Sequence, residues 1–264
     1  MLLLKLILVP AFLLLLAVAG KRWGPSVVGW LAGLPVVAGP ILFFLSVEHG
    51  VLFAANAAAA AVSAVLASVA FSVAYSHAAQ RLPWPPSLLL ALLAWSGAAL
   101  CLSALPASAP LSLVVSLFTL IAAPRLFPRV QALVQARAVT TSELGCCMLA
   151  GATLTVAVTF LAGTVGSGWS GLLAVFPVLG IVLAVFSHRT QGSMFAANLL
   201  RGMATGLYSF VAFCFILSVG LQHFGIPIAF TVAVVVSFIV QAASKRHLTL
   251  PSSGPPTASA HVKR

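Results

Sequence analysis

Phe53-Ala54-Ala55-Asn56 returns as Phe195-Ala196-Ala197-Asn198, 142 residues further along the chain (195 against 53). Extended without a gap, the same offset pairs Gly24 with Gly166, Gly29 with Gly171, Pro35 with Pro177, Phe44 with Phe186 and Gly50 with Gly192. It continues through Phe71 with Phe213, Gln80 with Gln222 and Pro85 with Pro227. Matches among Ala, Leu and Val carry little weight in so apolar a chain. Gly, Pro, Asn and Gln are rare enough here to count, and they predict a duplicated unit.

The solvent for that unit follows from composition. The chain has 264 residues, 62% hydrophobic and 6% charged, with a mean hydropathy of +1.18. A soluble domain carries about 25% charged residues, so this chain cannot cover a water-facing surface, and a bilayer is implied. Apolar runs near the spanning length predict nine helices: Leu2 to Ala19, Val27 to Leu45, Val51 to Ala79, Leu88 to Leu105, Leu111 to Leu126, Leu144 to Leu161, Gly168 to Phe186, Phe195 to Leu221 and Ile226 to Ala243. The first run resembles a signal peptide in length. Lys21-Arg22-Trp23 offers no small-residue cleavage pattern, and the run has a counterpart in the second copy, so it is read as a span.

Thirteen basic residues face only two acids, Glu48 and Glu143, for a net charge of +11. The basic residues sit between apolar runs or at the chain's end, with no aromatic-interleaved patch, which excludes nucleic acid as the partner. Counted over alternate connections they divide twelve to one, with Lys5 alone on the opposite side. That asymmetry predicts an N-terminus outside and a C-terminus in the cytoplasm, and requires an odd number of spans. With four spans per copy, Leu111 to Leu126 is the odd helix that inverts the second copy. The connections agree: Lys21 and Arg22 follow the first helix of copy one, while the equivalent Gly163 to Gly168 has no basic residue. Val47-Glu48-His49 likewise lacks Lys and Arg where Arg189-Thr190-Gln191 has one.

The predicted fold class is therefore all-α: a polytopic membrane protein of about nine transmembrane helices in a 4+1+4 inverted repeat. Residues 1–107 form the first four-helix repeat, 108–142 a linker helix and cytoplasmic loop, and 143–245 the second, inverted repeat. Residues 246–264, with Pro251-Ser252-Ser253-Gly254-Pro255-Pro256, have too little apolar surface to fold and predict a disordered cytoplasmic tail.

The order of features in copy one resembles the GlpM family of small bacterial inner-membrane proteins, which is associated with alginate production. The shared parts are the apolar helix Leu6 to Ala19, the second helix with Gly29-Trp30-Leu31-Ala32-Gly33-Leu34-Pro35, the turn Ser46-Val47-Glu48-His49-Gly50, and Pro85 before the last helix. In copy two Thr190 replaces the acid of the turn. The resemblance implies a bacterial inner membrane and transfers no catalytic residue.

Six residues are candidates for a substrate pathway. Pro35 and Pro177 fall near the middle of their spans, where each interrupts the hydrogen-bond ladder and frees a carbonyl. Such breaks line substrate sites in inverted-repeat transporters, and they also serve as packing kinks. Asn56 and Asn198 lie about one turn into the third helix of each copy, as paired polar gates or as interhelical hydrogen-bond glue. Glu48, beside His49, is the acid nearest an outer mouth and suits proton coupling or cation attraction, or simply a solvated turn. Arg201 shares a helical face with Asn198 and fits either an anion site or an interfacial anchor.

Cys101, Cys146, Cys147 and Cys214 lie in apolar runs without ligand spacing, so neither metal nor cofactor is expected. With two acids in the chain, acid–base hydrolysis has almost no material, and the protein is read as no enzyme. Two functions remain: a transporter or flippase-like permease for a small or amphipathic solute, which includes a lipid, and a non-catalytic subunit of an envelope or exopolysaccharide assembly. The sequence leaves the oligomeric state open.

Overall fold

The computed structural model describes residues 2–36, 38–104, 108–128, 141–164, 169, 173 and 176–248. Among them the regular structure is entirely helical. The first half comprises α1 (Leu2–Trp23), α2 (Pro25–Ala32), α3 (Ala38–Glu48), α4 (Val51–Ser63), α5 (Val65–Ala78) and α6 (Trp84–Ser103). It is followed by α7 (Ala109–Leu126), α8 (Thr141–Thr164), α9 (Val178–Gln191), α10 (Ser193–His223) and α11 (Ile226–Leu248).

Prolines punctuate this order. Pro25, Pro85 and Pro110 stand in the first turns of α2, α6 and α7, where the missing N–H has no intrahelical partner to lose. Pro35 acts differently. The apolar run expected to continue from Val27 to Leu45 is divided into α2 and α3. Hydropathy is blind to that division because Leu34, Pro35 and Val36 are as apolar as their neighbours; a proline ring inside a helix is not, since it disfavours the α conformation of the residue before it.

The two prolines are held by the same backbone bonds. Leu34 N–H donates to Leu31 C=O at 3.1 Å, Val36 N–H to Leu34 C=O at 2.8 Å, and Gly39 N–H to Pro35 C=O at 2.8 Å. At the 142-residue offset, Phe176 donates to Leu173 at 2.9 Å, Val178 to Phe176 at 2.6 Å, and Ile181 to Pro177 at 2.7 Å. The middle bond of each set closes a three-residue turn centred on proline. Pro177, at φ −76° and ψ 52°, has the inverse γ-turn conformation. The next junction also repeats: Gly50 (φ 88°, ψ 165°) opens α4 and Gly192 (φ 93°, ψ 168°) opens α10.

The α4–α5 pair and α10 form the centre. Ala54, Ala55, Ala57, Ala58, Val62 and Val65 in the first, and Ala196, Leu200, Phe213 and Leu217 in the second, are wholly or almost wholly buried. Around this centre α10 packs on α2, α4, α5, α7, α9 and α11, while α1 lies against α8 and α2, and α6 against α5. The first turn of α3 faces the Phe213 ring at Gly39, and the first turn of α9 faces the Phe71 ring at Gly180. Each half-helix beyond a break thus leans on a phenylalanine from the other half of the chain.

The periphery is apolar outward. Phe118 on α7 and Phe160 on α8 are 75% and 76% exposed, and Leu89, Leu93, Val235, Phe238 and Ile239 are also exposed. Water would penalise such a surface, whereas hydrocarbon accepts it. Among the described residues five helical stretches are long and apolar enough to cross a membrane: Val51–Ala78, Trp84–Ser103, Ala109–Leu126, Ser193–His223 and Ile226–Ser244. These correspond to five of the nine expected runs. Two shorter apolar helices, Ala38–Glu48 and Gly145–Val158, belong to two more. Most of the first part of the Gly168 to Phe186 run (168, 170–172 and 174–175), the loop over 129–140 and the tail beyond Leu248 lie outside the described residues. Buried hydroxyls are satisfied within their own helices: Ser72, Ser76, Thr155, Ser209 and Ser218 each donate to a carbonyl three or four residues back, the economical solution where water is absent.

Candidate functional site

A cleft of about 830 Å³ opens between α2, α7, α10 and α11. Its polar lining is Ser26, Asn198, Arg201, Thr205, Tyr208 and Ser244, set among apolar walls that include Leu120, Phe127 and Val240. Neither acid of the chain is among its lining residues. The volume falls within the roughly 300–1,000 Å³ range of small-molecule sites.

Helical register explains the polar stripe. Asn198, Arg201, Thr205 and Tyr208 are spaced by three, four and three residues, so they follow one face of α10. Asn198 stands in its second turn, and Tyr208 is the middle residue of the helix from Ser193 to His223. The cleft therefore runs from one end of the longest helix to its midpoint. Arg201 is exposed. Thr205 turns its hydroxyl proton back to Gly202 C=O at 2.6 Å.

Small residues bring α2 close enough to form the wall. Gly29 on α2 and Gly33 at its end meet Leu199, Met203 and Gly206 of α10, and Gly202 and Gly206 meet Ser26 and Trp30 in return. At all four glycines a Cβ would collide with backbone of the facing helix. This is small-xxx-small packing on both partners. The signal was present in the spacings 29/33 and 202/206. It escapes a reading built on the repeat because the offset pairs Gly33 with Val175, Gly202 with Ala60 and Gly206 with Ala64.

A polar clamp at the same crossing ties α2 to α11. Trp30 Nε1 donates to Ser244 Oγ at 2.9 Å, Gln241 Nε2 donates to Trp30 C=O at 2.7 Å, and Ser244 Oγ donates to Gln241 C=O at 2.9 Å. Gln241 is buried, and its Oε1 has no hydrogen-bond partner. Composition gave no reason to single out Gln241, a lone amide late in an apolar run.

Of the six expected pathway residues, the cleft brings together Asn198 and Arg201. Pro35, half-buried, and Pro177, buried, occupy the two breaks. Asn56 is half-buried in α4, and Glu48 is exposed at the end of α3; neither lines the cleft. His49 stacks on Phe53 with centroids 4.8 Å apart. Among the described residues no three His, Cys, Asp or Glu side chains stand close enough to hold a metal ion. No protein-family model, no curated protein and no solved structure matches this chain.

Proposed function

We propose that the protein is a permease of the bacterial inner membrane, built from two inverted copies and crossing the bilayer about nine times. The observation that carries this reading is the cleft, which descends to the middle of α10 beside one of two interrupted helices. Interrupted helices near the middle of a bundle and a central polar cavity are the common design of inverted-repeat transporters.

Four features support the duplication and its orientation. The backbone bonds around Pro35 and Pro177 recur at one offset, as do the conformations of Gly50 and Gly192. The phenylalanines facing Gly39 and Gly180 are themselves a pair at that offset. Finally, Ser26, Phe127, Asn198 and Ser244, which meet around the cleft, all belong to helix ends that the Lys and Arg distribution assigns to the cytoplasm. The cleft is then the cytoplasmic mouth, and rocking of one copy against the other would open the outer side.

The test is counterflow in proteoliposomes with a panel of labelled amino acids, sugars, nucleosides, carboxylates and fluorescent lipids. Exposed Ala243 lines the cleft, so Ala243→Trp serves as a plug. Movement of a panel member by the parent chain, lost in a plugged variant with unchanged melting temperature, is the expected result. Folded protein that moves none of them would instead favour a non-transporting subunit of an envelope assembly.

A further inference from the structure

We infer that the cleft binds a monovalent oxyanion, a carboxylate or phosphodiester, attached to an apolar body, with Arg201 as the residue that receives the charge. The inference deepens the permease reading and rests on it for the use made of the site.

Charge decides the sign. Among the described residues Arg201 is the only charged one that lines the cleft, and it has no ion-pair partner there. The chain's two acids are elsewhere: Glu48 ends α3 and Glu143 lies in the first turn of α8. A cation entering the cleft meets an uncompensated positive charge between low-dielectric walls, which focus its field. Helix ends do not alter the balance, because the N-terminal ends of α2 and α10, at Ser26 and Asn198, are opposed by the C-terminal ends of α7 and α11.

Chemistry and depth decide the rest. A guanidinium presents parallel N–H donors that match the two oxygens of a carboxylate or phosphate. Asn198, one turn away on the same face, supplies an amide donor. One cation neutralises one charge, and a second negative charge would lie unpaired against apolar walls. Along α10 the path leads from Arg201 past Ala204 to Tyr208, with Leu120 and Val240 across it. The head therefore stays at the mouth while the apolar body reaches inward. An arginine that merely anchors a helix at the interface needs no cleft behind it.

Two sources share this chemistry, a water-soluble amphipathic acid and an anionic bilayer lipid. The test uses the full chain in nanodiscs of phosphatidylcholine, titrated with 4-phenylbutyrate, its alcohol and its amine, with ligand-induced thermal stabilisation as the readout. A second series replaces part of the phosphatidylcholine with phosphatidylglycerol. The expected result is stabilisation by the carboxylate alone, weakened about tenfold or more in Arg201→Gln, as loss of a charged hydrogen bond requires, and partly kept in Arg201→Lys. The plugged Ala243→Trp chain should lose it without any change of charge. Competition by phosphatidylglycerol identifies a lipid as the natural occupant, and its absence a soluble acid. A phosphatidylglycerol effect that vanishes in Arg201→Gln, without a response to 4-phenylbutyrate, also supports the site. Equal stabilisation by the alcohol or the amine overturns the proposal, as does an undiminished response in folded Arg201→Gln, or no response to either anion. Anion binding without counterflow would remove the permease reading alone; counterflow of a neutral solute without anion binding would remove this one alone.

Discussion

Gly33 rests backbone to backbone on Gly206, at the point where α2 ends and α10 passes beneath it. A methyl group on either residue meets main-chain atoms of the other helix, and main chain cannot rotate away as a side chain can. Gly33→Ala and Gly206→Ala should each lower stability by about 1–3 kcal/mol, the usual cost of overpacking a tight contact. Gly97, exposed within α6 with nothing near its missing Cβ, provides the opposite case. Gly97→Ala should leave stability unchanged or raise it by up to about 1 kcal/mol through helix propensity. Thermal melts of the three variants in one detergent read the difference in sign, and equal losses at Gly97 and Gly206 would contradict the close crossing.

Gly50 and Gly192 raise a separate demand. With φ near +90° and ψ near 170°, both occupy a region open essentially to glycine, though space around each is free. Alanine there should cost about 1–3 kcal/mol through backbone strain alone. Because the two conformations agree within a few degrees, the losses in Gly50→Ala and Gly192→Ala should also agree. Chemical unfolding of both variants measures them, and a tolerated alanine at either position would sink the assignment.

These glycines mark what the sequence could reveal. A glycine demanded by its own backbone, such as Gly50, must recur wherever the same turn recurs, so the 142-residue offset exposes it. A glycine demanded by a neighbour, such as Gly206 against Trp30, recurs only if the neighbour does, and no local pattern of the repeat announces it. The division of Val27 to Leu45 followed from Pro35, yet its extent from Gly33 to Val36 depends on the proline-centred turn. Within the cleft, Asn198 and Arg201 were legible because polar residues at helical spacing stand out in an apolar chain. Ser26, Phe127 and Ser244 were not, because only tertiary packing brings three distant segments to one face of α10.

Membrane placement gives a further expectation. Glu48 and Arg81, both exposed, flank the 28-residue stretch Val51–Ala78 at its two ends. At 1.5 Å per residue that helix is roughly 42 Å long, more than the roughly 30 Å of hydrocarbon in a bilayer. Single cysteines at the two positions, in a chain whose four native cysteines are replaced, should react with a membrane-impermeant maleimide from opposite sides. The Lys and Arg distribution places the Glu48→Cys label outside and the Arg81→Cys label inside. Labelling of both from the same face in sealed, oriented vesicles would refute the span.

Tyr75 is fully buried near the end of α5, and its hydroxyl lies 3.2 Å from His188 Nδ1 on α9. The two sides of this bond are unequal. His188→Leu leaves a phenol hydroxyl buried without its partner, an error that costs about 1–3 kcal/mol. Tyr75→Phe removes the hydroxyl and leaves His188, only partly buried, free to find another partner, so its cost should stay near 1 kcal/mol. In the double variant the orphaned hydroxyl no longer exists, and the loss should be smaller than the sum of the single losses by about 0.5 kcal/mol or more. Equilibrium unfolding of the four chains closes this cycle. Strict additivity would mean that the two rings merely touch, and that α5 and α9 are joined there by packing rather than by the hydrogen bond.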